Sequence, residues 1–221
     1  MTPLKKYLII LFFCSLIVFA LSPYIDQQYA IVPFNYNTNH FYGEVSLWCK
    51  VVYYGVSVST VLLILVPLVI LIRKRKSSAQ QKNVVRRMVL ISYLSLALGP
   101  GLLVNTLFKD NWGRARPYQV IRDHHPFSFP WQPHLGRPKD NSFPSGHVSI
   151  GAFIGVPFIA ARRRKLGITL CGIGFVLVGI VRFLQGGHYI SDIFMAAILV
   201  WIVNILVTKL VDKYFMNKRV D

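Results

Sequence analysis

The sequence predicts an all-α fold, a single domain over residues 1–221 in which six transmembrane helices form one bundle with its chemistry-bearing residues at the outer membrane face. Three observations carry this expectation. The chain is 54% hydrophobic with a mean hydropathy of +0.48, above the soluble average. Its apolar residues fall into six runs near the roughly 20 residues that a helix needs to cross a bilayer. Its cations, 25 Lys and Arg against eight Asp and Glu for a formal charge of +17, cluster between those runs, which favours membrane orientation over nucleic-acid binding.

The runs are 7–25, 51–72, 88–108, 147–161, 166–183 and 193–211. Backbone amides left unpaired in lipid are costly, so each run reads as a helix rather than open sheet. The first follows Lys5 and Lys6 and has no A-x-A site after it, and so reads as a retained span rather than a signal peptide. The second ends on RKRK at 73–76. In the third, Gly99-Pro100-Gly101 predicts a kink, because proline removes one backbone hydrogen bond. The fourth is the shortest. The fifth and sixth enclose the turn 184–191. Cys14, Cys49 and Cys171 are an odd set in or beside apolar runs, without metal spacing, and read as core residues.

Six alternating spans put Lys5, Lys6, the basic residues of 73–87, RRRK at 162–165, Lys209, Lys213, Lys218 and Arg219 on one side, seventeen of the 25 cations. The positive-inside rule makes that side the cytoplasm and holds both termini there. Segment 109–146 and turn 184–191 then share the outer face.

Three clusters converge on that face. KDNWGRARP (109–117) supplies Lys109, Arg116 and Pro117; alone, it also suits a basic interfacial anchor. FPSGH (143–147) opens a helix, with Pro144 at its start and Ser145 and Gly146 presenting a hydroxyl and a bare amide where helix ends attract phosphate. Its plainer reading is a capped helix with an interfacial histidine, His147. RFLQGGHYISD (182–192) sets His188 and Asp192 four residues apart, on one helical face. An aspartate there can take the Nδ1 proton and leave Nε2 as a nucleophile. Arg182, a charge at the end of an apolar run, suits a fork onto phosphate oxygens.

The pattern Lys109-x6-Arg116-Pro117, Pro144-Ser145-Gly146-His147, Arg182-x5-His188-x3-Asp192 resembles the three-part signature of the type-2 phosphatidic acid phosphatase superfamily, in its membrane lipid phosphatase branch. The stretches 99–117 and 182–192 resemble the bacterial lipid A phosphatases, including the 4'-phosphatase type. One position departs: the family usually has serine before the third-motif arginine, where this chain has Val181. The resemblance implies catalytic segments at 109–117, 144–147 and 182–192. In it His188 attacks phosphorus, Asp192 orients His188, and His147 protonates the leaving oxygen and then activates water. Lys109, Arg116, Ser145, the Gly146 amide and Arg182 hold the phosphoryl oxygens. It further implies a phosphorylated membrane lipid as substrate, no cofactor, no metal and no nucleic acid, at a bacterial inner membrane with a periplasmic active site.

Within the class, phosphatidylglycerophosphate, phosphatidic acid and undecaprenyl pyrophosphate are alternative substrates. Outside it stand a transporter lined by arginines and histidines, disfavoured by the absence of internal repeats, and a haem or metal held by the histidine pair, disfavoured by the neighbouring cations. In the proline-rich loop 118–142, His124, His125 and His134 read as solvated, and the aromatics as interfacial. The outer loop 26–45 has no Lys or Arg; it is on the side from which the site could be covered, but the sequence assigns it no role.

Overall fold

The structure, a computed structural model, describes residues 3–136 and 140–217, so Lys218 and Arg219 and residues 137–139 of the long loop lie outside the described residues. Five helical stretches are long and apolar enough to cross a membrane: Lys5–Tyr29, Leu47–Lys76, Ala79–Trp112, Arg164–Leu184 and Ile190–Phe215. They belong to α1 (Pro3–Tyr29), α3 (Leu47–Arg73), α4 (Ala79–Leu96) with its continuation, α9 (Arg164–Leu184) and α10 (Ile190–Asn217). A hairpin of β1 (Phe34–Asn35) and β2 (His40–Phe41) and the turn of helix α2 (Tyr42–Val45) link α1 to α3. The chain is therefore an all-α, multi-pass bundle.

The expected fourth span differs from the other five. It consists of α7 (Gly146–Phe153) and α8 (Val156–Ala160), a shorter apolar stretch broken at Ile154 and Gly155. At about 1.5 Å per residue its 15 residues reach roughly 22 Å, less than the ~30 Å hydrocarbon core. Close approach to α9 explains both the small residues and the break. A Cβ on Gly151 would lie 2.5 Å from the Gly174 carbonyl oxygen, and one on Gly155 1.9 Å from that of Gly167. Small residues let membrane helices meet backbone to backbone.

The third span continues through Pro100. Residues Ala97–Lys109 widen into a π-helical segment, and α5 (Asp110–Trp112) completes the helix. Asn105 Nδ2 donates to the Pro100 carbonyl at 2.6 Å. A local π adjustment with a polar side chain is one way a membrane helix absorbs proline.

The core lies where α4, α7–α8, α9 and α10 meet around Val104, Phe153, Val156, Cys171 and Val200. Cys49 and Cys171 are buried as expected, whereas Cys14 is exposed on α1. Phe12, Ile17, Val58 and Leu62 on α1 and α3 are likewise exposed, the lipid-facing pattern of a span. One pole of the bundle collects the end of α1, the starts of α3, α7 and α10, and the end of α9. At the other, Arg87 Nε and Nη2 bind Asp212 at 2.5 and 3.0 Å while Nη1 donates to the Ala160 carbonyl.

Candidate active site

The turn between α9 and α10 is shaped by what its glycines leave out. Gly186 has φ +59°, and a Cβ there would strike the Phe41 ring; a Cβ on Gly187 would lie 2.2 Å from Arg182 Nη2. The guanidinium of Arg182 thus occupies the space beside Gly187, next to His188. His188 is only 1% exposed, and its Nδ1 lies 2.6 Å from the Ser142 carbonyl oxygen. A carbonyl can only accept, so Nδ1 carries the proton and Nε2 keeps its lone pair.

This corrects the expected partner. Asp192 Oδ2 is 3.9 Å from His188 Nδ1, beyond a hydrogen bond. The carboxylate is saturated elsewhere: Oδ1 takes Arg114 Nη1 at 2.5 Å, and Oδ2 takes Ser142 Oγ at 2.6 Å and Tyr189 N at 3.0 Å. Asp192 is therefore linked to His188 through Ser142, whose hydroxyl it holds and whose carbonyl accepts from the imidazole. It remains close enough to favour a charge on that ring.

Arg114 is the centre of this arrangement. It is fully buried and also donates to Asp26 at 2.9 Å, Ser191 Oγ at 2.9 Å and the Ser128 carbonyl at 2.9 Å, with the Tyr189 ring 4.1 Å from its Cζ. Burial pulls its pKa down, but the Asp192 and Asp26 carboxylates outweigh burial and hold it above the ordinary value. Asp26, at the end of α1, also accepts from Ser191 N at 3.1 Å and from its hydroxyl. Breaking such a buried set costs far more than its formation stabilises.

The second cluster opens α7 one residue later than the sequence suggested, with Pro144 ahead of the cap rather than at the helix start. Ser145 caps α7, accepting from Val148 N at 3.4 Å, and its own amide donates to the Asp192 carbonyl at 3.2 Å. That bond ties the start of α7 to the start of α10. Gly146 packs closely on Asn105, whose side chain would have to move for any larger residue, since a Cβ would lie 2.3 Å from its Oδ1. His147 stacks on Tyr53 of α3, with ring centroids 4.4 Å apart and 18° between planes. Arg182 lies over the same tyrosine, 5.1 Å from its centroid.

The first cluster completes the ring of charge. Lys109 ends the π segment, half-buried. Arg116 precedes α6 (Pro117–Ile121) and donates Nη2 to Asn141 at 2.6 Å. Tyr118 N donates to the Gly186 carbonyl at 3.0 Å, holding this cluster against the third. Arg116 Nε and Arg182 Nε are buried without a partner among the described residues, and a buried donor without an acceptor is costly. Lys109, Arg116 and Arg182 all act electrostatically on both His147 and His188. His188 is held well below the ordinary histidine pKa, first by burial and then by Arg182 and Arg116. The eight sequence-derived residues therefore meet at one pole: a buried imidazole with its Nε2 unprotonated, a second imidazole, a buried carboxylate, three cations and a helix N-terminus. Among the described residues no group of three His, Cys, Asp or Glu is placed to hold a metal ion.

Sequence reasoning did not find Arg114, Asp26, Ser142 or Tyr53. Only the first two carried a signal, as opposite charges beside apolar runs. Val181 is fully buried and brings no hydroxyl to Arg182. In the long loop, His125 Nδ1 pairs with Asp140 at 2.9 Å rather than standing solvated, and Trp112 Nε1 donates to the Pro130 carbonyl at 2.9 Å. The loop before α3 also packs on the site: Gly43 abuts Gln185, and Glu44 pairs with Arg122 at 3.2 Å.

A family model described as the PAP2 superfamily matches residues 88–216, more than half of the chain and all three clusters. The chain is 35% identical over 125 residues to the lipid A 4'-phosphatase of Francisella tularensis subsp. novicida (strain U112), across 53% of this chain and 55% of that protein. It thus spans about half the length of the curated relative it matches. No solved structure matches. With three motifs at one pole of the bundle and the matched segment enclosing them, the chain belongs to the PAP2 superfamily, the type-2 phosphatidic acid phosphatases.

Proposed function

We propose that this protein is a bacterial inner-membrane lipid phosphatase that removes a monoester phosphate from lipid A at the periplasmic face, through a phosphohistidine on His188. The observation that carries this reading is the fixed tautomer of His188. Its Nδ1–H is held by the Ser142 carbonyl at 2.6 Å, which leaves Nε2 as a nucleophile in the field of Arg182 and Arg116, whose buried Nε groups have no acceptor among the described residues.

In the first step Nε2 attacks phosphorus as the ester P–O bond breaks, and His147 protonates the departing alkoxide. The positive charge on the phosphorylated imidazole is favoured by the Asp192 carboxylate. In the second step the neutral His147 takes a proton from water, whose oxygen attacks phosphorus, and the P–N bond breaks to return the electron pair to Nε2. Lys109, Arg116, Arg182, Ser145 and the Gly146 amide stabilise the equatorial oxygens in both steps. These fixed charges supply the stabilisation that a divalent ion provides elsewhere. The lipid A assignment is supported by the relative named above.

Alternation of six crossings, with α7–α8 as the fourth, supports the single active pole, and the basic opposite pole supports its periplasmic side. The test is phosphate release by purified protein from lipid A, phosphatidylglycerophosphate, phosphatidic acid and undecaprenyl pyrophosphate in excess EDTA. Highest kcat/KM on lipid A is expected. Preference for another of these lipids overturns the substrate, and no release from any of them overturns the reading.

A further inference from the structure

We propose that the pole opposite the active site binds one diacyl anionic phospholipid, its phosphate headgroup held by Lys74, Arg75, Lys82 and Arg86. A cleft of about 470 Å³ lies where the end of α3, the 3₁₀ turn Lys74–Lys76 and the start of α4 meet. Its apolar lining is Leu71, Ile72 and Val85, and its four remaining lining residues are those cations. No carboxylate lines it. Among the described residues none of the four forms an ion pair, whereas their neighbour Arg87 is committed to Asp212. Four uncompensated positive charges around an apolar floor complement an anionic headgroup that also presents hydrocarbon.

Two further cavities adjoin the cleft and suit the chains. One, of about 450 Å³, shares Leu71 and Arg86 with it and extends along Val89, Leu90 and Phe215. The other, of about 630 Å³, shares Val85 and runs between α3 and α8 past Leu62, Val66, Met88 and Phe158. Both volumes lie within the usual range of ligand sites. One charged cleft between two apolar cavities matches a lipid with one phosphate and two chains. The site is distinct from the catalytic pole: Tyr53, stacked on His147, and Arg73 are twenty residues apart on α3, about 30 Å at 1.5 Å per residue. The proposal therefore stands apart from the catalytic reading.

The experiment titrates the full chain, purified in a neutral maltoside detergent, with phosphatidylglycerol or phosphatidylcholine, and reads bound lipid by native mass spectrometry and Tm by thermal melting. Saturable binding of one phosphatidylglycerol per chain, with a rise in Tm that phosphatidylcholine does not reproduce, is expected. Replacing Lys74→Ser and Arg75→Ser together should weaken binding by roughly fivefold per charge removed. Val85→Trp should weaken it with the charge unchanged, by filling the lining common to cleft and chain cavity. The double variant lies on an exposed turn and should keep the lipid-free Tm and phosphatase activity of the wild type. Equal binding of phosphatidylcholine, binding without saturation, or unchanged affinity in both variants overturns the proposal. A Tm rise with glycerol phosphate as large as with the lipid also overturns it, since the chains would then contribute nothing.

Discussion

The imidazole of His188 is held by the backbone of Ser142, with Nδ1 and the carbonyl oxygen 2.6 Å apart. A backbone acceptor cannot be removed by changing a side chain, so the tautomer that exposes Nε2 is built into the loop. Ser142→Ala should therefore lower kcat only modestly, about tenfold, by releasing the loop from Asp192. His188→Ala should remove activity by on the order of 10³-fold or more. With labelled nitrophenyl phosphate, whose leaving group needs little protonation, His147→Ala should accumulate phosphoenzyme and His188→Ala should form none. Label trapped in His188→Ala would reverse the two roles.

Burial first, and then Arg182 and Arg116, keep His188 neutral well below the ordinary histidine pKa of about 6.5. In the unfolded chain the same imidazole takes a proton as pH falls through that value, while the native one does not. The unfolded state then binds more protons, so this group's contribution to stability falls as pH drops below about 6.5. Thermal melts of wild type and His188→Ala should diverge in slope between pH 6.5 and 5, the wild type falling more steeply. Parallel slopes would mean that the ring titrates normally in the folded protein.

Arg114 neutralises two buried carboxylates at once. Arg114→Met should strand both and cost about 3–5 kcal/mol, read as a large drop in Tm and in the yield of folded protein. Asp26→Asn, which leaves Arg114 its Asp192 partner, should cost less. Equal Tm values for wild type and Arg114→Met would show that the network carries no stability.

Tyr53 touches His147 by stacking and Arg182 through its ring face. Such contacts are each worth about 0.5–1.5 kcal/mol. Tyr53→Leu should lower kcat/KM by roughly tenfold, and Tyr53→Phe, which keeps the ring, should stay near wild type. A Tyr53→Phe defect as large as that of Tyr53→Leu would assign the effect to the hydroxyl.

Spans and motifs were legible because both are written in residue type. Apolar runs long enough to cross a bilayer stand out against clustered cations, and the eight residues in three motifs could be assembled by alternation alone. The short fourth run was visible, but its division at Gly155 depends on how closely α9 approaches, a contact that no periodicity encodes. Arg114 and Arg116 stand two residues apart in GRARP and look alike, yet one is a buried counter-charge to two carboxylates and the other acts on the two histidines. The His188 partner was assigned to Asp192 because side chains can be read from sequence and a carbonyl in an irregular loop cannot. Tyr53 resembled any other aromatic near the end of a span.

The bond from Arg114 to Asp26 has a consequence for biogenesis. Asp26 leaves the ribosome with the first span, long before Arg114 and longer still before Ser191 and Asp192, so its full set of partners exists only once the last helix has been made. The buried network is consequently a late product of synthesis, complete when the last helix docks against the first. A chain released before residue 190 should keep Asp26 accessible to a water-soluble carbodiimide, while the completed chain should protect it, and that difference would date the closure.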